Sequence, residues 1–242
     1  MDSPKVISSH PTRNPQSEIR NPLQGHELWA EEYDHFTNPL LHLEERILSQ
    51  QLISLNDLSV ADLACGTGRW LRKARELGAR FGVGIDFSPA MLHQAKAKAG
   101  LRGCLVLADL NFIPLATETL DILICSFALG YFETLNSLAS ECHRILRPGG
   151  RLFCSDLHPA TQTEGWKRSF KKADRVIEIE SVFHSIAGIM NAFGGYFQLE
   201  SRQELFLGEP ERPIFEGEKK LQVFEASKHF PAVILFQWRK PS

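Results

Sequence analysis

The sequence predicts a doubly wound α/β fold, with helices on both faces of a mostly parallel sheet. Short apolar runs alternate with segments of helical periodicity from residue 58 onward. The runs are apolar at consecutive positions instead of every second position, which is typical of strands buried on both faces. A length of 242 residues suits one domain. We therefore expect a single Rossmann-like domain over residues 26–242.

Five strands and three intervening helices account for the regular part of the pattern. The strands are expected at residues 60–64, 81–85, 103–108, 120–126 and 151–155. The helices are expected at residues 69–77, 88–98 and 135–146. Two later strand candidates, residues 203–207 and 232–238, complete a seven-stranded sheet. Residues 58–158 would form the ligand-binding core of the domain.

The flanking segments have different patterns. Residues 1–25 contain four prolines among polar residues, which predicts a flexible tail. Residues 26–57 form an expected helical cover, with Asn38 as N-cap and Pro39 at the first helical position. Residues 159–195 suit a β-rich insertion that covers the substrate, and residues 196–242 hold the last strands.

Composition argues against several classes of partner. The 27 Lys and Arg residues nearly balance the 29 Asp and Glu residues, so no strong positive charge favours nucleic acid or an anionic membrane. The longest apolar run, residues 120–130, is too short to cross a hydrocarbon core of roughly 30 Å. No signal-peptide pattern opens the chain, and we expect a cytoplasmic protein. The five cysteines lack metal-site or disulfide-framework spacing, so we expect buried thiols and no metal.

A glycine-containing turn follows the first predicted strand. Gly66 and Gly68 permit a tight turn and close approach of a ligand to the backbone, at the start of the next helix. Asp86 ends the second strand about 20 residues downstream, the interval at which an acidic residue binds ribose hydroxyls. Leu71 occupies the place where a dinucleotide fingerprint needs glycine or alanine. An adenosine-bearing ligand is therefore indicated, and NAD is disfavoured.

Asp109 ends the third predicted strand. A carboxylate at this strand exit, beside the ribose-binding one, can accept a hydrogen bond from an exocyclic amine such as that of adenine. Three successive strand exits thus carry chemistry that suits one adenosine-bearing ligand.

These segments resemble the class I S-adenosylmethionine-dependent methyltransferases. The similarity covers about residues 28–156 and is carried by residues 62–68, 84–92, 108–110, 120–126 and 146–152. Two positions depart from the family pattern. Ala64 stands where the loop typically has glycine, which we expect to be tolerated at negative φ. Gly130 stands in a stretch where related sequences often place a histidine.

The resemblance implies S-adenosylmethionine as cofactor and assigns its contacts. Asp86 would hold the ribose, Phe87 and Met91 would flank the adenine, and Asp109 would accept from its amine. Tyr33 would belong to the segment that closes over the cofactor. The full set of implied cofactor-binding residues is Tyr33, Asp62, Ala64, Gly66, Gly68, Asp86, Phe87, Met91, Asp109, Leu110 and Ser126. From the residues alone, Asp62 has an alternative role as a cap of the following helix.

The implied reaction is in-line transfer of the sulfonium methyl group to a small-molecule nitrogen, oxygen, sulfur or carbon nucleophile. His158, at the exit of the fifth strand, is the candidate base, and Asp156 is a candidate to orient it or to contact substrate. Aromatic faces attract a sulfonium, and a cationic side chain suits an anionic substrate. The candidate substrate residues are Phe127, Tyr131, Trp166 and Arg168.

Two other functions remain open at this stage. A regulatory protein that binds S-adenosylmethionine without turnover would carry the same Asp86 and Asp109. An NAD-dependent oxidoreductase is disfavoured by Leu71 and by the lack of a proton-relay motif. Neither the acceptor nor the oligomeric state is indicated by the sequence.

Overall fold

The strands of the computed structural model, which describes residues 17–35 and 37–242, form two sheets. The strands are β1 (Ser17–Arg20), β2 (Ser59–Leu63), β3 (Phe81–Asp86), β4 (Leu105–Leu107), β5 (Leu120–Ser126), β6 (Leu146–Leu157), β7 (Ser169–Lys172), β8 (Arg175–Ile179), β9 (Gln198–Leu205) and β10 (Val233–Arg239).

Nine α-helices occur within the described residues. They are α1 (Pro22–Trp29), α2 (Pro39–Leu48), α3 (Arg69–Glu76), α4 (Pro89–Ala97), α5 (Asn136–Ile145), α6 (Ala160–Thr163), α7 (Ile186–Gly194), α8 (Arg212–Gly217) and α9 (Leu221–Ser227). A short 3₁₀ helix covers Leu129–Tyr131.

The main sheet confirms the predicted doubly wound class. Its seven strands lie in the order β4-β3-β2-β5-β6-β10-β9. The five strands from β4 to β6 are parallel, whereas β10 runs antiparallel to both β6 and β9. The chain order reverses between β2 and β5, and the carboxyl edge beside such a reversal is where open α/β sheets bind ligands.

Two apolar clusters cover the two faces of the main sheet. One packs α5 and α7 against the sheet and includes Leu138 and Phe193. The other packs α2, α3, α8 and α9 against the opposite face and includes Leu43, Trp70 and Phe224. Burial on both faces explains why the parallel strands are apolar without alternation.

The prediction of a tail is wrong for residues 17–25, which form a strand and the start of a helix. β1 pairs in parallel with β8, and α1 begins at Pro22, with the Asn21 side chain accepting from Gln24 N at 2.9 Å. Proline lacks an N–H that the first helical turn does not need, so Pro22 starts a helix instead of preventing one. Gly25 packs so close to Ile179 that a β-carbon there would lie 2.7 Å from Cγ1. The rest of the predicted tail, residues 1–16, lies outside the described residues.

The insertion and the cover agree with their sequence patterns in outline. β7 and β8 form a hairpin that joins β1 in a three-stranded sheet. Asn38 caps α2 as predicted, because its side chain accepts from Leu40 N at 2.9 Å, and Pro39 is the first helical residue. α8 and α9 were missed because each is only about two turns long, too short for a helical period to stand out.

All five cysteines lie within the described residues. The five cysteines are free thiols, and all but the half-buried Cys104 are buried. Across residues 17–35 and 37–242, no helix is both long and apolar enough to traverse a bilayer.

A buried carboxylate fixes the helical cover to the sheet. Glu44 on α2 is fully buried and accepts from Arg69 Nη2 at 2.8 Å, Trp70 Nε1 at 3.2 Å and Ser155 Oγ at 2.9 Å. These donors lie on α3 and β6, so one side chain joins three elements. A buried charge requires such partners, because each one lost leaves desolvated polar groups.

Replacement of Glu44 is predicted to destabilise the domain strongly. Glu44→Ala leaves Arg69 without its buried partner and should lower the free energy of unfolding by about 3–5 kcal/mol. Glu45→Ala is the matched control, because Glu45 pairs with the same Arg69 but is one-third exposed; it should cost less than about 1 kcal/mol. Urea unfolding measures both variants. Equal losses of unfolding free energy in the two variants would show that Glu44 does not anchor the helical cover.

Candidate functional site

The turn after β2 is held to the end of β3 by Asp86. Gly66 N donates to Asp86 Oδ2 at 2.7 Å, and Ser88 N donates to Oδ1 at 2.9 Å. Asp86 is buried, and this burial raises the pKa of its carboxyl group. Each carboxylate oxygen has a second lone pair, so the side chain can still accept hydrogen bonds from a ligand.

Ala64 corrects the expected backbone geometry of the loop. Its φ is +53°, in the left-handed region, although we expected a negative φ. A β-carbon in this conformation approaches the backbone closely and costs roughly 1–2 kcal/mol. The glycine typical of related loops avoids that cost. Ala64 therefore stores local strain directly beside the cavities described below.

Asp62 and Gly68 support the loop from behind. Asp62 Oδ2 accepts from Leu71 N at 2.9 Å, so its carboxylate caps the first turn of α3, the alternative role that the sequence left open. Burial raises the pKa of Asp62 to about 7. Gly68 has φ +83°, and a β-carbon there would lie 2.5 Å from Leu101 Cδ1. Neither residue lines the cavities at the carboxyl edge of the sheet.

A cavity of about 350 Å³, here called the central cavity, opens where β2, β3 and β5 end. The strand-end side is formed by the loop after β2, by Asp86 and by Ser126. The other side comes from α1, α2 and the insertion. The predicted site residues that line it are Tyr33, Ala64, Gly66, Asp86, Phe87, Met91, Ser126, Phe127, Tyr131, Trp166 and Arg168.

A second cavity of about 870 Å³ adjoins the first and shares Ala64, Phe87 and Tyr131 with it. Asp109 and Leu110 line this second cavity together with residues of α1. The Asp109 carboxylate accepts from Asn111 N at 2.8 Å, which orients it in a tight turn. The structure thus brings Asp86, at the end of β3, and Asp109, in the turn after β4, to two adjoining cavities.

Aromatic rings form the cover over the central cavity. Trp29 stacks on Phe170 at 4.9 Å between ring centroids and meets Tyr33 edge-on at 4.7 Å. Burial raises the pKa of Tyr33 to about 12, so its hydroxyl stays protonated. Asp34 accepts from Thr67 Oγ1 at 2.8 Å and pairs with Lys98 at 2.7 Å. The link between α1 and α2 is therefore tied to the loop after β2.

A buried ion pair connects the insertion to the strand ends. Arg168 pairs with Asp156, and its Nη1 donates to Phe127 O at 2.9 Å. The guanidinium lies 4.7 Å from the centroid of the Tyr131 ring. Gly130 leaves space for this arginine, because a β-carbon there would lie 2.7 Å from Arg168 Nη2. A side chain at position 130 would therefore crowd Arg168.

The structure corrects the predicted pair of His158 and Asp156. His158 lines neither cavity; its Nδ1 accepts from Ala160 N at 3.1 Å and its Nε2 lies 3.7 Å from Glu204. The Asp156 carboxylate bonds to Arg168 and to Gly130 N instead of orienting His158. The sequence placed both residues correctly at the end of a strand, but the side chain of His158 faces β9.

His26 is one of the lining residues that were not predicted from the sequence. It lies on α1, and its ring meets Tyr131 at 4.9 Å and Phe87 at 5.8 Å between centroids. Its position three residues before Trp29 was the available signal, since it places His26 on the same helix as the aromatic cover. Assignment of the preceding residues to a tail obscured that signal.

Comparisons with known proteins find methyltransferases that are similar to this chain. Residues 61–154 match the family model described as a methyltransferase domain. A malonyl-[acyl-carrier protein] O-methyltransferase from Coxiella burnetii is 30% identical over 137 residues, which cover 56% of this chain and 46% of that protein. A demethylmenaquinone methyltransferase from Thermus thermophilus is 33% identical over 153 residues, covering 61% of this chain and 66% of that protein.

The fold is also found among solved structures. An S-adenosylmethionine-dependent methyltransferase from Mesorhizobium loti superposes with a TM-score of 0.65 at 24% identity, covering 84% of this chain and all of that one. The chain spans about half the length of the Coxiella relative. The matched family segment, residues 61–154, contains Asp62, Asp86 and Asp109 and ends before the insertion.

Relief of the backbone strain at Ala64 is predicted to stabilise the domain. Ala64→Gly should raise the free energy of unfolding by about 0.5–1 kcal/mol, because the relief of left-handed strain exceeds the added entropy of the unfolded chain. Ala74→Gly on α3 is the control and should lower it by at least about 1 kcal/mol. Denaturant unfolding measures both. A loss of stability in both variants would contradict the assignment of strain to Ala64.

Titration of Asp62 yields a prediction about pH. Its folded-state pKa lies above the usual value, so its stabilising contribution is complete below pH 3.8 and is lost as the pH rises to about 7. Asp62→Asn should match the wild type near pH 4 and exceed its unfolding free energy at pH 8, by on the order of a few kcal/mol. Asp57→Asn, at an exposed turn, is the control. Parallel pH curves for wild type and Asp62→Asn would contradict the shift.

Proposed function

We propose that this chain, which belongs to the class I S-adenosylmethionine-dependent methyltransferases, transfers a methyl group to a small-molecule acceptor by in-line displacement. The observation that carries the proposal is the position of Asp86. Its buried carboxylate secures the loop after β2 and still faces the central cavity, where ribose hydroxyls can donate to it.

The residues at the two cavities fit the parts of the cofactor. Gly66 and Ser126 offer backbone and hydroxyl groups where the methionine part would lie, and the ribose would lie at Asp86. Phe87 and Leu110 are apolar neighbours for the adenine ring in the second cavity, where Asp109 can accept from its amine. Met91, which we expected to flank the adenine, lines the central cavity and not the second one. Asp62 and Gly68 are assigned to supporting the loop instead of contacting the ligand.

The bound cofactor supplies an activated sulfonium methyl group, and the protein must orient the acceptor and exclude water. Trp29 and Tyr33, from the cover, and Tyr131, from the segment after β5, are placed to shield the cavity, since all three rings line it. Aromatic faces also suit a sulfonium cation without pairing it tightly. The Arg168–Asp156 pair adds polar character to the wall with little net charge.

The side of the site proposed for the acceptor is built from other parts of the chain than the side assigned to the cofactor. The two curated relatives are named for malonyl-[acyl-carrier protein] and for demethylmenaquinone, which are chemically unlike each other. Tyr33 and Arg168 lie outside the matched residues 61–154. We therefore infer a small-molecule acceptor selected by α1, α2 and the insertion.

Loss of Asp86 is predicted to weaken cofactor binding. Asp86→Ala should weaken binding of S-adenosylhomocysteine about 10- to 100-fold, because the ribose hydroxyls lose their acceptor. Asp174→Ala, in the exposed β7–β8 turn, is the control and should bind like the wild type. Calorimetric titration gives the affinities, and circular dichroism checks that Asp86→Ala remains folded.

Two results would redirect the proposal. Equal affinity of wild type and folded Asp86→Ala would remove the ribose assignment. Binding by the wild type without methyl transfer to any small molecule in an acceptor screen would favour the regulatory alternative over an enzyme.

A further inference from the structure

The central cavity contains several ionisable side chains, and most of them cannot take up a proton at neutral pH. Burial raises the pKa of both Tyr33 and Tyr131, so these hydroxyls are already protonated. Lys167 pairs with Glu178 at 2.8 Å, and the Asp156 carboxylate keeps Arg168 cationic. Four of the lining groups are therefore excluded as proton acceptors.

Asp86 is also a poor candidate for moving a proton. Both of its oxygens accept backbone hydrogen bonds, from Gly66 N and Ser88 N. Its remaining lone pairs are assigned to hydrogen bonds from the ribose hydroxyls. Protonation of this carboxyl group would weaken the contacts that hold the loop after β2.

His26 is the remaining ionisable group on the lining, and its tautomer is set by a backbone contact. Its Nδ1 lies 2.7 Å from Pro22 O. A carbonyl oxygen can only accept, so Nδ1 must carry the hydrogen. In a neutral ring, Nε2 then holds a lone pair. Among the described residues, Nε2 has no hydrogen-bond partner.

The surroundings of His26 keep the ring neutral and in place. Burial lowers its pKa, Arg168 from the insertion lowers it further, and Asp86 on β3 and the Pro22 carbonyl oppose this effect. Tyr131 and Phe87 meet the ring edge-on from two other segments. The imidazole is thus held between the strand ends and the cover, beside the residue assigned to ribose.

We propose that His26 is the general base of the methyl transfer and that the acceptor is a protic nucleophile, with an O–H, N–H or S–H group at the reacting atom. This inference rests on the proposed function. The acceptor X–H bond breaks as its proton passes to Nε2 of His26, and the lone pair of X forms the new bond to the methyl carbon. The C–S bond of the sulfonium breaks, and its electron pair stays on sulfur.

The first test needs no acceptor. Long-range ¹H–¹⁵N spectra of the histidine rings, recorded with saturating S-adenosylhomocysteine from pH 5 to 9, report the tautomer and the titration of each ring. His26→Gln identifies the signal. His184 is an internal reference of the opposite tautomer, because its Nε2 lies 2.9 Å from Phe132 O.

We expect His26 to be a neutral Nδ1–H ring at pH 7.5, with a midpoint below 6.5. A His26 ring that is cationic at pH 7.5, or that carries its hydrogen on Nε2, would overturn the proposal. Failure of the wild type to bind S-adenosylhomocysteine would instead overturn the proposed function, so the two failures are distinguishable.

The second test measures turnover with phenol, benzylamine and 1-propanethiol as protic probe acceptors. For a probe that the wild type methylates, His26→Gln should lower kcat at least 100-fold at pH 7.5, within the usual range for a general base. Its affinity for S-adenosylhomocysteine should stay within about twofold. His143→Gln, on α5 and outside the central cavity, is the matched control and should leave kcat unchanged.

Two kinetic results would contradict the assignment of His26. One is an unchanged kcat in both His26→Gln and His26→Ala. The other is a loss of kcat in the His143→Gln control as large as the loss in His26→Gln. A loss of kcat together with an equal loss of cofactor affinity would also count against a base, since it would indicate a purely structural role.

Discussion

The buried contact between Glu44 and Arg69 is the interaction on which the shape of the site depends. Glu44 belongs to the cover, whereas Arg69 begins the helix after the glycine-containing turn. Arg69 also donates to Ser126 Oγ at 2.9 Å, on the wall of the central cavity. One charged network therefore couples the helical cover, the turn and the end of β5, and it can persist only while all of its groups are satisfied.

The site consists of a half that is assigned to the cofactor and a half that is proposed for the acceptor. The cofactor half is built from strand ends, where backbone groups and Asp86 meet at one edge because parallel strands share a direction. The half that we propose for the acceptor is built from α1, α2 and the insertion, which come from separate parts of the sequence. The Arg168–Asp156 pair and the ring of His26 lie at the boundary between the two halves.

The two halves were not equally predictable from the sequence. The strand exits, and with them Asp86 and Asp109, follow from local apolar runs and turn residues, which depend on short-range physics. His158 was expected at the site but its side chain faces β9, whereas His26 lines the central cavity without having been expected there, because the direction of a side chain depends on tertiary packing. The tail assignment failed at Pro22 because proline both ends and begins helices, and the partner strand of β1 lies far along the chain. The positive φ of Ala64 was not predicted either, since alanine itself carries no turn signal.

A crystal structure of the chain with S-adenosylhomocysteine would test the central claim most directly. The account predicts the ribose hydroxyls within hydrogen-bond distance of Asp86, the adenine between Phe87 and Leu110, and the sulfur facing the central cavity beneath Tyr33. The same structure with the ligand at another location, or with the sulfur turned away from the central cavity, would contradict the assignment of this site to methyl transfer.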